Sequence, residues 1–552
     1  MELDSDDYTV VPLTLLDATV GNAEIVTRIS LTFDTALSFP KLQESWYKAL
    51  RARPIMQARV RRSTSAPSGL EYHVFTPKGM KKYLEKQHSE STPDHLKDFF
   101  CLDESHRSIV DYCPGLGVGI NASQVEQSKG IFVSDNADAQ DQVRCTAFNG
   151  IQDIQELLTT DRPIATIQVT KFSDATLITL SVSHIVGDLF TMKAIFKSWE
   201  TALQQGTVDP FIEEELGLDP FAAYGPGGHL ATSPTFKPED QLPPGWRIYG
   251  FLDKARLLTR VLWDQYITRP EKTISQKYIY IPESEVQALH EQAKQDLATI
   301  NPTEEPALSR SNVLYAWMLK HTHTHLSSSK GQMSTPVAIA NARGRPPTGL
   351  TPRSPSSSSS SRTKKEKEVF PTHDWYGAAL VTALPSLSVK EIQSMSLGEL
   401  SLHVREGLKA ASSPENTRKW LSFNLHNNLW KGTTGKFAFW SPPDHYWVGL
   451  SDWRAGRLRE VDFSPAAAGP THRTQKDDGI GNGNWEGKVS VCGLNAHMVK
   501  TGSQRNRWVC LGEAGGGVWF LGIAGEEEWK DQRGWGQYPR LSLRRGKGEG
   551  DR

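Results

Sequence analysis

Residues 175–206 read ATLITLSVSHIVGDLFTMKAIFKSWETALQQG. The first part, Ala175 to Val186, is aliphatic and β-branched, and it follows a similar run, ATIQVTKF (Ala165 to Phe172), across Ser173-Asp174. Two β-prone runs joined so tightly predict an antiparallel hairpin. Beyond it, Leu189, Met192, Ile195, Phe196 and Trp199 recur at helical intervals, and Gly206 stands where that helix would stop. The expected unit is strand, polar corner, helix, with His184 at the corner. A histidine at the edge of a sheet faces a crevice, and an ordinary pKa near 6.5 suits it to general-base work at neutral pH. Asp188 follows four residues later, past Gly187, placed to anchor the corner through the helix N-terminus or a salt bridge. With 16 histidines in the chain, that spacing alone also fits a plain N-cap beside an unrelated histidine.

Upstream, Leu42, Trp46 and Leu50 in LQESWYKALR predict an amphipathic helix. Residues 1–208 therefore read as one mixed α/β domain. Residues 209–246 turn rich in Pro and Gly and read as a crossover linker. Residues 247–470 form a second mixed region. It contains the strand Lys277 to Pro282, the helices SEVQALHEQA and SRSNVLYAWMLKH, the strand Thr335 to Asn341, the run HDWYGAALVTALPSL and a helix in KEIQSMSLGELSLHVREGL. Within it, residues 353–368, RSPSSSSSSRTKKEKE, are expected to be a disordered surface insertion. The tail, 471–552, is different. Arg473 to Arg552 holds 17 Gly and 5 Trp without sustained periodicity, and glycine so dense is costly to order. It reads either as a poorly ordered appendage or as translated non-coding sequence.

Composition narrows the function. With 552 residues the chain is long enough for two to four domains, and 62 basic against 63 acidic side chains give no electrostatic reason for a nucleic-acid partner. The N-terminus, MELDSDDYTVVPL, lacks the build of a signal peptide, and no apolar run has a membrane-spanning length, so no membrane partner is expected. Five cysteines without close metal-type spacing fit a reducing compartment, and a cytoplasmic location is expected. His321, His323 and His325 (HTHTH) lack an evident further ligand, so no metal is expected, and Cys113 has no identifiable base. There is neither a phosphate-binding glycine loop nor a Gly-x-Ser-x-Gly elbow.

In this context SVSHIVGD after a hairpin resembles the His-x-x-x-Asp motif of the BAHD and trichothecene-type acyltransferases, in the CoA-dependent acyltransferase superfamily. Other stretches agree in order. VPLTLLDATVGN with ESWYKALRARPIMQARVR is similar to the family's opening, and SRSNVLYAWMLK to its second-domain helix. AIANARGRPP is similar to its Asn-x-Arg-x-Arg stretch, WYGAALVTALPSL to its Tyr-x-Gly-Asn segment, and LSDWRAGRLREVDFSPA to the region ending in Asp-Phe-Gly-x-Gly. The departures are Leu189, Ala378 and Ser464-Pro465, where the family has Gly, Asn and Gly, and the last puts the closing motif in doubt as a rigid element. Ser183 stands where condensation domains carry a second histidine, which argues against carrier-bound substrates.

The resemblance implies two chloramphenicol-acetyltransferase-like α/β domains, each a mixed sheet with helices, and an active-site tunnel between them. It implies one-step acyl transfer from acyl-CoA, expected to be acetyl-CoA, to a hydroxyl of a small specialised metabolite. His184 would be the base, Asp188 a structural support and Ser451 a donor to the oxyanion. Asp462 would be a distal structural carboxylate, with Arg343 and Arg345 as candidate partners of the two aspartates. No bound cofactor is implied beyond acyl-CoA as co-substrate, and the expected state is a monomer. Transfer to an amine is one alternative. A catalytically silent relative that keeps the fold to bind ligands is the other.

Overall fold

A computed structural model of the chain describes residues 4–87, 100–109, 130–134, 150–207, 219–226, 242–300, 307–343, 377–429, 437–467, 491–499, 505–514 and 516–541, with 89, 228, 432–433 and 489. The insertion at 353–368, Arg345 and most of the 209–246 crossover lie outside the described residues.

The expected hairpin forms the centre of a five-stranded sheet. Its strand order is Val491–Val499, Val26–Phe33, Thr176–Ser183, Ala165–Lys171, Phe100–Glu104. The hairpin pairs from Ala165 against Val182 to Lys171 against Thr176. Val26–Phe33 and Thr176–Ser183 are buried along their whole length, polar residues such as Arg28, Ser30 and Thr179 included. The helices Phe39–Ala52 and Leu189–Gln205 pack together, and Trp46 meets Trp199 edge-on at 5.2 Å. The Trp199 indole N–H donates to Leu42 O and Ser45 Oγ, so the ring buries its apolar area without stranding its donor.

The second sheet has nine strands. In order they are Ala379–Ala383, Met333–Asn341, Tyr446–Asp452, Arg507–Ala514, Gly517–Gly525, Ile274–Pro282, Phe132–Ser134 and Arg540–Leu541, with Leu387–Ser388 added beside Met333–Asn341. Met333–Asn341, Tyr446–Asp452 and Arg507–Ala514 run parallel. The helices Glu283–Ile300, Arg310–His323 and Leu397–Ala411 pack against one another and bring apolar side chains into the core they share with this sheet. The single helix expected within KEIQSMSLGELSLHVREGL is two, Val389–Ser394 and Leu397–Ala411. Ser396 breaks it by N-capping the second, accepting from Glu399 N–H while the Glu399 carboxylate returns to Ser396 N–H. Two helices, Phe251–Trp263 and Pro414–Asn427, were not anticipated from the sequence.

In its described residues the tail takes regular structure, where a poorly ordered appendage was one expectation. Residues 491–499 form an edge strand of the first sheet, paired with Val26–Phe33, while Arg507–Ala514 and Gly517–Gly525 form a hairpin inside the second sheet. The tail tryptophans among the described residues, Trp508, Trp519, Trp529 and Trp535, are core residues. Trp508 stacks on Trp535 at 4.7 Å, Trp535 meets Trp317 of the helix Arg310–His323 at 5.2 Å, and Trp529 lies 5.6 Å from Trp508. One glycine serves these rings directly: a Cβ at Gly522 would run into Trp508. Glycine that costs entropy in an open chain here lets a backbone lie flat on an indole.

The two halves are interleaved as well as adjacent. A short piece of the crossover, with Phe221 and Tyr224, packs with Leu15 and Leu16 against Ala378, Leu380, Trp420 and Leu421 in a core of its own. Asp219 ties it down by accepting from the N–H groups of Leu15 and Phe221.

Candidate active site

The strand expected to run on to Val186 stops at Ser183, and His184–Val186 form a single tight turn before the helix. Three hydrogen bonds hold that turn. His184 N–H donates to Ile25 O at 2.8 Å, Gly187 N–H to His184 O at 3.2 Å, and the Tyr72 hydroxyl to Ile185 O at 3.0 Å. Gly187 has φ 140°, and a Cβ there would run into Thr191, so the corner requires glycine on both counts.

His184 is half-buried. Its Nδ1 is enclosed with only its own backbone carbonyl to face, so the open part of the ring is the Nε2 side. Burial lowers its pKa from the ordinary 6.5, against the opposing pull of the Asp188 charge and that carbonyl, and the positive charge of Arg507 lowers it further. The imidazole is therefore mainly neutral at pH 7, and Nε2 is the nitrogen left accessible.

Asp188 does not touch the imidazole. Its Oδ1 accepts from Phe190 N–H at 3.0 Å, capping the helix Leu189–Gln205. Its Oδ2 accepts from Arg343 Nη1 at 2.7 Å and Ala378 N–H at 2.9 Å, both from the other half of the chain. Arg343 also lies over the Phe190 ring at 4.9 Å. A second carboxylate runs alongside. Asp17, fully enclosed, accepts from Gly377 N–H at 2.9 Å and from the Thr14 hydroxyl at 2.7 Å. Burial pushes its pKa up to about 7, and the Asp188 charge adds to the rise. Two aspartates of the first half thus grip consecutive backbone amides of the second, directly beneath the turn that carries His184.

Relatives carry the same chain layout. The protein is 34% identical over 546 residues to acetyltransferase MATC1 of Mycosarcoma maydis, covering 97% of this chain and 98% of that one. It is 36% identical over 545 residues to acetyltransferase MAT1 of Pseudozyma antarctica, covering 96% and 98%. The chain belongs to the fungal acetyltransferases that these relatives represent. It matches no protein-family model. The fold of this acetyltransferase is shared with F. graminearum TRI101 complexed with coenzyme A and deoxynivalenol, at TM-score 0.57 and 14% identity over 96% of this chain and 99% of that one. The same enzyme complexed with ethyl coenzyme A gives TM-score 0.58 at 14% identity, with coverage of 96% and 99%. The two-domain α/β architecture expected from the sequence is therefore the one found.

The remaining expected site residues of the acetyltransferase fall in different places. Ser451 lies near the end of the strand Tyr446–Asp452, and its hydroxyl accepts from the Trp453 indole N–H at 2.9 Å; no hydrogen bond joins it to His184 among the described residues. Asp462 accepts from Gln204 and from Ser464 N–H and Oγ–H. Arg343, offered for either aspartate, is spent on Asp188. Of the histidines His321, His323 and His325, for which no metal was expected, the first two have hydroxyl partners. His321 bonds the Tyr538 hydroxyl at 2.8 Å, and His323 the Ser334 hydroxyl at 2.7 Å.

The three departures from the family pattern are accommodated. Leu189 packs where Gly456 leaves no Cβ in its way. Ala378 contributes its backbone N–H, which needs no particular side chain. The doubt over the closing motif is removed: Phe463 is buried between Phe33 at 5.5 Å and Trp199 at 4.8 Å, and Ala466 O accepts from Ser38 N–H. Sequence reasoning missed Asp17 and Arg507. An aspartate inside PLTLLDATV was a signal, since a carboxylate in an apolar run needs buried partners. Arg507 carried none, lying in the tail that read as patternless.

Proposed function

We propose that this acetyltransferase moves an acetyl group from acetyl-CoA to a hydroxyl of a small, hydroxylated specialised metabolite, with His184 as general base. The reading rests chiefly on one observation: a neutral imidazole fixed by its backbone, with Nε2 open where the two halves of the chain meet. Nε2 takes the acceptor proton as the oxygen attacks the thioester carbon. A C–O bond forms, the tetrahedral oxyanion collapses, the C–S bond breaks, and the imidazolium returns its proton to the departing thiolate. General-base assistance of this kind is worth about 100- to 10,000-fold.

Ser451 is assigned the oxyanion. Its oxygen is already an acceptor for Trp453, which leaves its own O–H to donate, as an oxyanion site requires. Asp188, Arg343, Asp17 and Gly187 position the turn without touching substrate. Both halves of the site come from one chain, which supports a monomer. The few cysteines, of which Cys101, Cys492 and Cys510 are free thiols, support the cytoplasm.

The test is thiol release from acetyl-CoA by the purified protein and by His184→Ala, with pooled hydroxylated acceptors and a parallel pool of amines. Release that depends on the hydroxyl pool and falls about 100-fold or more in the variant supports the assignment. Equal release by both proteins removes His184 from the mechanism, and release with amines alone replaces the acceptor class.

A further inference from the structure

The helix Phe251–Trp263, continued as a wider turn over Asp264–Thr268, is built inside out. None of its residues is buried. Its large apolar side chains point to solvent: Phe251 is 85% exposed, Leu252 70%, Leu258 58%, Trp263 59% and Tyr266 73%, with Leu262 and Ile267 also exposed. At 100° per residue, Leu258, Phe251, Leu262, Tyr266, Leu252 and Trp263 occupy one continuous arc.

The opposite, polar side fastens the helix to the protein. Arg260 donates to His445 O at the start of the strand Tyr446–Asp452. Asp264 accepts from Arg269 at 2.7 Å and from Arg505 at 3.0 Å, and Arg269 continues to Asn506 Oδ1 at 2.7 Å. Asp253 faces Arg247 at 3.6 Å. An amphipathic helix folded for stability alone turns the other way, with its apolar stripe on the core. A contiguous exposed patch of this kind marks an interaction surface.

The chemistry of the face points to what covers it. It carries Phe251, Trp263 and Tyr266 among aliphatic side chains. The helix has only two acidic residues, Asp253 and Asp264, and both are turned inward and paired. The cations Lys254 and Arg256 stand exposed on the two flanks of the arc. Aromatic and aliphatic residues between exposed cations are what an anionic lipid–water interface takes up. We propose that this helix seats the protein on the surface of an anionic lipid bilayer, lying in the interface plane. It amends the sequence-based expectation of no membrane partner, and it needs no spanning segment: no helix among the described residues is long and apolar enough to cross a membrane. No hydrogen bond or ion pair joins it to His184, Asp188 or Ser451 among the described residues, so the inference stands apart from the acyl-transfer reading.

The test is co-sedimentation of the full chain with phosphatidylcholine vesicles, with and without phosphatidylserine. It uses wild type, a Leu258→Asp/Leu262→Asp variant and a Lys254→Glu/Arg256→Glu variant, each checked for an unchanged thermal melt. The expected result is binding to the phosphatidylserine vesicles about tenfold or more above the neutral ones, lost in the first variant and weakened in the second. Failure of wild type to bind, binding that survives Leu258→Asp/Leu262→Asp, or equal binding to both vesicles would overturn it. So would a concentration-dependent dimer that the aspartate variant dissociates, which would make a second copy the occupant.

Discussion

Arg343 Nη1 lies 2.7 Å from Asp188 Oδ2, both side chains are buried, and the pair joins the two halves of the molecule beneath His184. Asp188 receives three donors in all, from Phe190 N–H, Arg343 and Ala378 N–H. Removing the arginine leaves a buried carboxylate short of its one ionic partner. Arg343→Ala is expected to lower stability by about 3–5 kcal/mol, the usual cost of breaking a buried pair from one side. Asp188→Asn, which keeps shape and an acceptor oxygen, should cost less. Urea midpoints of the two variants check the order. In both, kcat should fall more than the KM for acetyl-CoA rises, because the pair positions the base and holds no substrate.

With His184 as the proposed base, its environment sets the pH dependence of the reaction. Burial and Arg507 hold its pKa below 6.5, so the base is lost only when the pH falls beneath that value. The acid limb of kcat/KM is expected to follow one proton with a midpoint below 6.5. Replacing Arg507 by Met should move the limb upward, since a charge that disfavours the imidazolium is gone. A limb centred above 6.5 in wild type would mean that another group supplies the base.

The tail gives a stability prediction of a different kind. Trp535 is fully buried among Trp508, Trp529 and Trp317, linking tail, sheet and helix. Trp535→Ala should cost about 3–5 kcal/mol and lower the urea midpoint without changing the slope. A chain ending at residue 470 loses four strands of two sheets and should not fold. If either protein matched the full chain in stability, the tail would be dispensable after all.

What could be read in advance followed the range of the interactions. The hairpin, the helix Leu189–Gln205 and its Asp188 cap are local, so periodicity and one turn were enough. Asp188's partner is distant, and it entered only through a family resemblance that offered Arg343 and Arg345 for two aspartates. The tail failed for a physical reason: its glycines look like entropy when counted and like contact surface when Trp508 is laid on Gly522. Its hairpin signal was nevertheless present, two apolar runs, WVCL and VWFLGIA, flanking the glycines 515–517. Asp17 left a local signal in its apolar run, but its partner lay beyond any local reading, because the amide that holds it is 360 residues away.

That amide makes the last prediction. Asp17 has an ordinary carboxyl pKa of 3.8 when the chain is unfolded and about 7 when it is enclosed between Thr14 and Gly377. Between those values the folded protein keeps a proton that the unfolded chain has released. The stability this group contributes is complete below 3.8 and declines as the pH rises towards about 7, by at most about 1.4 kcal/mol per pH unit. Asp17→Asn cannot ionise, keeps an oxygen for Gly377 N–H, and needs only a rotation of the Thr14 hydroxyl to accept from its amide. Its stability relative to wild type should therefore grow as the pH is raised across that window, measured as the difference in urea midpoint at successive pH values. Parallel curves would mean that Asp17 is ionised in the folded protein throughout, with Arg343 shared between two aspartates.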